Sequence, residues 1–223
     1  MDASGKDGAI AHVMSGVNPL AVRATAFKAP SESELAHDWL WRHGAVLPER
    51  GHIGIFNRSH YEEVVVVRVH PEQLAAEGAD GAHARDERFW HARLDAIAAW
   101  ERHLGACGTR VIKLFLNISK DEQRERLLAR ARDPEKLWKF SPDDVAQRAY
   151  WDDYQRAYEA ALLATSTADA PWYVIPADHK WFARAAVGQV VVRHLEQMDP
   201  QPPQLDEEQR RAALEALRVL EAE

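Results

Sequence analysis

The sequence predicts an α/β fold built on a mostly parallel β-sheet. Short apolar runs alternate along the chain with longer segments of helical periodicity, which is the pattern of repeated βαβ units. These runs are nearly continuous in apolar residues, as expected of parallel strands that helices cover on both faces. The chain has 223 residues, of which 46% are hydrophobic. That length suffices for one domain with a buried core.

The apolar runs place five strands, at residues 22–27, 53–56, 64–69, 111–117 and 172–176. Helices are expected where N-cap residues precede helical periodicity, as in the capping boxes that begin at Ser31 and Ser119. The predicted helices cover residues 9–14, 35–42, 88–104, 119–133, 145–165, 180–197 and 206–223. The Gly-, Ala- and Asp-rich segment 78–88 is expected to be a surface loop.

A proline-rich stretch near the C-terminus predicts a linker. Residues 198–203 read MDPQPP, a composition that disfavours both helix and central strand. We therefore expect residues 1–198 to form the main domain and residues 199–223 to form a linker and an amphipathic helix. That helix could pack its apolar stripe on its own domain or on a second subunit, and the sequence leaves both possibilities open.

Composition excludes several classes of protein. The chain carries 28 Lys and Arg against 35 Asp and Glu, a net charge of −7, which argues against general nucleic-acid binding. No apolar run approaches the ~20 residues that span a bilayer, and the first residues lack the features of a secretory signal. A single cysteine, Cys107, cannot form an internal disulfide. The eleven histidines show no zinc-motif spacing. We expect a cytoplasmic protein without nucleic-acid or membrane partners.

Residues 2–8, DASGKDG, match the second half of a phosphate-binding loop, G-x-x-x-x-G-K-[ST]. Gly5 would let backbone N–H groups close on a phosphate, and Lys6 would add a positive charge. The helix that follows would direct its positive N-terminus at the same anion. Asp7 stands where the motif has a hydroxyl, and the carboxylates of Asp2 and Asp7 could hold Mg²⁺. A glycine-rich polar turn without a ligand is the alternative, because half a motif is weak evidence.

Polar residues follow the predicted strand 53–56, in the segment NRSHYE. Ligands of open α/β sheets bind at the carboxyl ends of the strands, so these side chains are candidates for a site. Asn57 offers a neutral oxygen where a P-loop enzyme normally has a carboxylate, and Arg58 could bind phosphate bidentately. The alternative for Arg58 is an ordinary ion pair with Glu62 or Glu63.

A basic segment with interleaved aromatic residues lies at residues 121–150, which we interpret as a mobile insertion over the site. Its cations would close on a polyanion and stabilise a phosphoryl group in transfer. A solvated helix face is the alternative, since acidic residues supply i,i+4 partners. The basic residues are Arg124, Arg126, Arg130, Arg132, Lys136 and Lys139, with Trp138 and Phe140 between them.

Taken together, long stretches of the chain resemble the polyphosphate kinase 2 family of polyphosphate:nucleotide phosphotransferases. The matching stretches, in the family's order, are MDASGKDG, HVMSGVNP, FKAPSESELAHDWLWR, GIFNRSHYEEV, RARDPEKLWKFSPDD, YWDDYQRAYEAAL and PWYVIPADHKWFAR. The resemblance implies a three-layer P-loop kinase-like core with a helical lid at about residues 119–150. It also implies Mg²⁺-dependent, direct in-line transfer of a terminal phosphate between inorganic polyphosphate and a nucleoside mono- or diphosphate.

The resemblance also implies roles for individual residues. Asp2 would hold the metal, Lys28 would lie near polyphosphate, and Asn57 with Arg58 would form the Walker-B-like motif. The implied catalytic residues are Asp2, Lys6, Asn57, Arg58 and Arg132. The implied phosphate- and polyphosphate-binding residues are Gly5, Asp7, Gly8, Lys28, Lys136 and Lys139.

Two departures from the family pattern stand out. The strand that enters the phosphate loop, with the first glycine of the motif, is missing from the sequence. Asn57 stands where many members have Asp, and this places more of the Mg²⁺ binding on Asp2.

The implied partners are polyphosphate, adenine or guanine nucleotides and further copies of the chain in a dimer or tetramer. Two other functions stay open, a nucleoside-monophosphate kinase that uses ATP and an inactive remnant that binds polyanions or a homologous subunit.

Overall fold

The computed structural model describes residues 3–79, 81–202 and 204–223 of the chain, and it is a helix-rich mixed α/β protein. The strands are β1 (Val22–Ala26), β2 (Ile53–Asn57), β3 (Lys113–Asn117) and β4 (Trp172–Pro176). The helices are α1 (Lys6–Val13), α2 (Glu32–Leu35), α3 (Trp41–Gly44), α4 (Glu62–Val69), α5 (Glu87–Ala106), α6 (Lys120–Arg132), α7 (Pro142–Ala146), α8 (Trp151–Thr165), α9 (Lys180–Met198) and α10 (Glu207–Leu220).

The described strands form two parallel pairs. β1 pairs with β2 in the register Val22 with Ile53, and β3 pairs with β4 in the register Lys113 with Trp172. The α/β class and the parallel pairing predicted from the sequence are therefore confirmed. At the carboxyl end of each pair, one further backbone hydrogen bond extends the ladder. Phe27 N–H donates to the Asn57 carbonyl, and Ala177 N–H donates to the Asn117 carbonyl.

The prediction of a strand at residues 64–69 is wrong, because this apolar run lies in α4. Val64, Val65 and Val67 are all buried. Val64 and Val65 belong to a core cluster with Leu94 and Ile97 of α5, whereas Val67 packs in a second cluster. A helix covered on most sides carries a continuous apolar run, as a buried strand does, so periodicity cannot distinguish them.

Two predicted helices are shorter than expected. Ser31 caps α2 through the predicted capping box with Glu34, but the helix ends at Leu35 and a second short helix, α3, begins at Trp41. The helix predicted at 145–165 begins only at Trp151, because residues 142–150 form the short helix α7 and a 3₁₀ turn. In both places the sequence signals the start of a helix correctly and its length incorrectly.

The chain divides into two units, residues 1–188 and 189–223. The first contains the four strands and α1–α8, and its largest core cluster joins residues of α4, α5 and α8. The second contains the amphipathic helix α10, in which no side chain is buried. None of the described helices is both long enough and apolar enough to cross a membrane.

Candidate active site

The glycine-lysine loop leads directly into α1. Gly5 is the N-cap of this helix with φ 96°, a left-handed conformation that favours glycine. Ala3 also has a positive φ, 59°, which is costly for a residue with a Cβ. Lys6 occupies the first helical position, and its Nζ lies 3.4 Å from the Asp7 carboxylate. The free N–H groups and positive dipole end of α1 therefore lie beside the Lys6 ammonium group, an arrangement suited to an anion.

Asn57, the last residue of β2, contacts this loop. Its Nδ2 donates a 2.9 Å hydrogen bond to the Asp7 carboxylate. That bond lowers the pKa of Asp7 below its ordinary value, although burial acts in the opposite direction, and the charges of Lys6 and Lys139 lower it further. The Asn57 Oδ1 is buried and has no hydrogen-bond partner within the described part of the chain. The structure thus brings Asp7 and Asn57 together with one free amide oxygen.

Arg58 has an unusual backbone conformation. Its φ is 64°, so the chain turns sharply as it leaves β2. The side chain is exposed and lies 3.7 Å from Glu62, which is one of the two ion pairs that the sequence left open. A bulky residue in the left-handed region costs of order 1–3 kcal/mol, and such strain is concentrated at functional sites. The cation is therefore held at the carboxyl edge of the strand at an energetic cost.

Lys28 follows the end of β1, and its backbone carbonyl accepts a hydrogen bond from a buried arginine. The Arg42 guanidinium donates a 2.8 Å hydrogen bond to the Lys28 carbonyl and pairs with Glu63 at 2.7 Å. Both Arg42 and Glu63 are buried. The Lys28 side chain itself is exposed. Arg42 was not singled out as a site residue from the sequence.

The segment predicted as a lid consists of α6, α7 and the turns between α6 and α8. Lys139 lies over the Trp138 ring, 4.8 Å from its centroid, and it lies close enough to Asp7 to lower the pKa of that carboxyl. Lys136 pairs with Asp133. Arg132 is exposed at the end of α6, and the described residues provide no hydrogen bond or ion pair between it and the loop. Of these three lid cations, Lys139 is the one whose charge acts on the Asp7 carboxyl.

Arg126 is the residue that sequence reasoning undervalued, since it stood out only as one of several arginines in a basic helix. Its guanidinium donates to main-chain carbonyls of the loop, at Ala3 and Ser4, and to the carbonyls of Ala177 and Asp178 after β4. Only 9% of the side chain is exposed. No spacing rule in the sequence distinguishes it from its neighbours on α6.

The remaining residues of the predicted site are Gly8 and Asp2. Gly8 lies close to α9, because a Cβ at this position would stand 3.4 Å from the Arg184 guanidinium. Asp2, the predicted metal ligand, lies outside the described residues. The described contacts bring together Lys6, Asp7, Asn57 and Lys139, two cations and one amide around one carboxylate. Arg58 directly follows Asn57 in the chain, and its side chain lies beside Glu62.

The comparisons with known proteins agree on one family. The sequence profile of polyphosphate kinase 2 (PPK2) matches residues 1–203. The ADP-polyphosphate phosphotransferase of Rhodopseudomonas palustris is 51% identical over 215 residues, which cover 96% of this chain and 74% of that protein. The AMP/ADP-polyphosphate phosphotransferase of Meiothermus ruber is 48% identical over 92% of this chain and 72% of its own length. The crystal structure of polyphosphate kinase 2 from Arthrobacter aurescens superposes with a TM-score of 0.85 at 45% identity, covering 98% and 72% of the two chains.

Proposed function

The chain belongs to the polyphosphate kinase 2 family, and on that premise we propose that it transfers a terminal phosphate between inorganic polyphosphate and AMP or ADP. The relatives named above are phosphotransferases of polyphosphate with ADP or with both adenine nucleotides. Guanine nucleotides are further candidate acceptors.

One observation carries the proposal: the hydrogen bond from Asn57 to Asp7 joins the end of β2 to the first turn of α1. It places the first turn of α1, which contains Lys6, beside the end of β2, where Arg58 is the next residue. Phosphoryl transfer needs cations and N–H donors around the equatorial oxygens of the transferred group, and little covalent chemistry.

The proposed mechanism is direct in-line transfer without a covalent enzyme intermediate. Lys6 and Arg58 offset the charge on the reacting phosphates, and Arg132 with Lys136 and Lys139 closes over them as the lid excludes water. Lys28 lies along the path of the polyphosphate chain. The role of the protein is to position the two phosphates in line and to stabilise their charge.

We propose Mg²⁺ as the metal of this site. The Asp7 carboxylate and the buried, unpartnered Asn57 Oδ1 are the hard oxygen donors that Mg²⁺ prefers. Asp2 would add a second carboxylate. When bound, Mg²⁺ neutralises charge on the phosphate oxygens.

The two strand pairs support a further element of the proposed fold, a P-loop kinase core of three layers. Among the described residues β2 pairs with β1 and β3 pairs with β4, so each has one edge without a described partner. A further strand that paired with one edge of each would join the pairs into one sheet. We propose that such a strand completes the fold, as unpaired edges are unfavourable.

The test of the proposed function is ATP formation from ADP, Mg²⁺ and long-chain polyphosphate, with AMP as a second acceptor. Lys6→Ala should lower the rate by roughly 10²-fold or more, as expected for loss of a preorganised charge contact. Lys180→Ala is the matched control, an exposed lysine at the start of α9. Retained activity in Lys6→Ala would remove Lys6 from the mechanism.

The same assay separates the other functions. Phosphate transfer from ATP to AMP without any transfer from polyphosphate would indicate a nucleoside-monophosphate kinase. If neither reaction occurs, the assay is repeated with a chimera that also carries the part of the Rhodopseudomonas palustris relative that lies outside the matched region. Activity of the chimera alone would show that this part is required, and an inactive chimera would favour a remnant.

We also propose a homo-oligomer, a dimer or a tetramer, as the assembled form. Leu214, Leu217 and Leu220 of α10 are exposed apolar residues that a second subunit could cover. Light scattering on the full chain measures the assembled mass, and a monomer at micromolar concentration would contradict this proposal.

A further inference from the structure

Arg126 uses every hydrogen-bond donor of its guanidinium group. Arginine has five N–H donors, one on Nε and two on each Nη atom. Nε donates to the Glu122 carboxylate at 2.8 Å. Nη1 donates to the carbonyls of Ala3 at 3.0 Å and Ser4 at 3.1 Å. Nη2 donates to the carbonyls of Ala177 at 2.6 Å and Asp178 at 2.8 Å.

These contacts join two segments that are distant in the sequence. Ala3 and Ser4 belong to the loop before α1, and Ala177 and Asp178 follow β4. The latter segment is fixed independently, because Ala177 N–H donates to the end of β3 and the Asp178 carboxylate accepts from Ser119 N–H. The loop is therefore held against the segment that follows β4 through one side chain that is only 9% exposed.

The direction of the bonded carbonyls determines where the loop N–H groups point. In a trans peptide the C=O of one residue and the N–H of the next lie in one plane and point in opposite directions. Because the Ala3 and Ser4 carbonyls point at Arg126, the N–H groups of Ser4 and Gly5 point away from it. Neither N–H donates a hydrogen bond within the described part of the chain.

The backbone of the loop needs such support. Ala3 has φ 59° and Gly5 has φ 96°, so two left-handed residues flank Ser4. A left-handed alanine is unfavourable by roughly 1–2 kcal/mol and persists only where surrounding contacts require it. Both Ala3 and Ser4 have their carbonyls bound by Arg126, which makes this side chain the contact that maintains the conformation.

We propose that Arg126 is a positioning residue that orients the Ser4 and Gly5 N–H groups toward the phosphate group being transferred. The proposal rests on the function proposed above. Arg126 does not touch the phosphate in this role, since all of its donors are occupied by protein atoms. It acts through the loop, and the donors that contact the phosphate belong to the main chain.

Lysine cannot replace arginine here, although it keeps the charge. Its ammonium has three donors around a single point, whereas the planar guanidinium reaches two pairs of carbonyls on opposite sides at once. Arg126→Lys therefore tests geometry with charge held constant, and Arg126→Ala tests removal of the whole side chain. Arg156→Lys and Arg156→Ala are matched controls, because Arg156 is an exposed arginine on α8 that pairs with Asp153.

The kinetic experiment measures kcat and the polyphosphate KM of the full chain. Arg126→Lys should lower kcat by about 10²-fold, the effect of a misplacement of about 1 Å, and should change KM by less than about tenfold. Low-millimolar guanidinium chloride should restore part of the activity of Arg126→Ala, whereas the same concentration of tetramethylammonium chloride should not. Guanidinium destabilises folded proteins, so this rescue cannot come from a general gain in stability. A kcat equal to that of the Arg156 variants would overturn the proposal.

A second measurement does not depend on activity. Amide hydrogen exchange at Ala9, whose N–H donates to the Gly5 carbonyl at 2.9 Å, reports on the loop and should accelerate in Arg126→Lys, while exchange in the α8 core stays unchanged. Inorganic tripolyphosphate should bind more weakly by calorimetry. If the wild-type chain lacks polyphosphate-dependent activity but loop exchange responds in this way, the proposed function fails, and what stands is that Arg126 maintains the conformation of the loop. Unchanged loop exchange in both Arg126 variants overturns the positioning role whatever the activity.

Discussion

The Asn57 side chain donates a 2.9 Å hydrogen bond to the Asp7 carboxylate, across 50 positions of the sequence. This bond joins the carboxyl end of β2 to the first turn of α1, the two places where the sequence shows phosphate-site signals. It favours the ionised form of Asp7, because a hydrogen bond to the charged form lowers the pKa of the carboxyl group. The pair is therefore the structural link between the two candidate motifs.

Asn57→Asp should make the protein dependent on divalent cations for its stability. The change removes the donor to Asp7 and places a second carboxylate beside it, so the pKa of Asp7 should rise and the two charges should repel. The melting temperature should fall in EDTA and should rise with Mg²⁺ by more than it does in the wild type. Asn57→Ala is the control. If Mg²⁺ raised the melting temperature of the wild type, Asn57→Asp and Asn57→Ala by the same amount, the expectation would be contradicted.

Arg58→Gly should separate stability from activity. Glycine adopts φ 64° without the steric cost that Arg58 bears, and the exposed Arg58–Glu62 pair contributes only about 0–1 kcal/mol. Arg58→Ala loses the same side chain but keeps the strain. Both variants should lose roughly 10²-fold in rate, while the glycine variant unfolds at higher urea than the alanine variant. Equal urea midpoints would show that the backbone at this position is not strained.

His43→Leu should reduce the sensitivity of the fold to acid. Burial, with the nearby His60 and Arg42, lowers the pKa of His43 to about 3. Between that value and the ordinary histidine pKa the unfolded chain binds a proton that the folded chain does not, so the free energy of unfolding falls as the pH falls. The slope is about 1.4 kcal/mol per pH unit for one such group.

Urea unfolding between pH 4.5 and 6.5 measures this slope, with the exposed His91→Gln as control. The burial of His60 also lowers its pKa, so some acid sensitivity should remain in His43→Leu. An identical slope in wild type and His43→Leu would exclude His43 as a source of acid sensitivity.

Lys113→Met should destabilise the fold strongly without touching the candidate site. The buried Lys113 ammonium donates to the Glu101 carboxylate at 2.5 Å and to the Thr165 carbonyl at 2.7 Å. Removing it leaves the buried Glu101 charge without its cationic partner, which costs about 3–5 kcal/mol. Chemical denaturation measures the loss, and the double variant Lys113→Met/Glu101→Gln should recover part of it. No recovery in the double variant would mean that lost packing, not the unpaired charge, causes the effect.

Much of the local structure could be predicted because its signals are short-range. The capping box of Ser31 and Glu34 forms as predicted, since its partners lie three residues apart. Strand β4 has the predicted bounds, and β1, β2 and β3 differ from theirs by one or two residues. The loop residues Gly5 and Lys6 were recognised from the same kind of short-range pattern. Where the environment rather than the pattern decides, as in the buried helix α4, the prediction failed.

The α/β class, the starts of most elements and the residue types of a phosphate site are predictable from the amino-acid pattern. Which of those residues meet depends on tertiary packing, because contacts such as Asn57 with Asp7 or Arg126 with Ser4 span 50 and 122 positions. Arg126 looks like any arginine of a basic helix until its five donors are traced to two distant segments. Hydrogen bonds over such separations leave no periodicity in the sequence, so packing alone distinguishes a surface cation from one that shapes the loop.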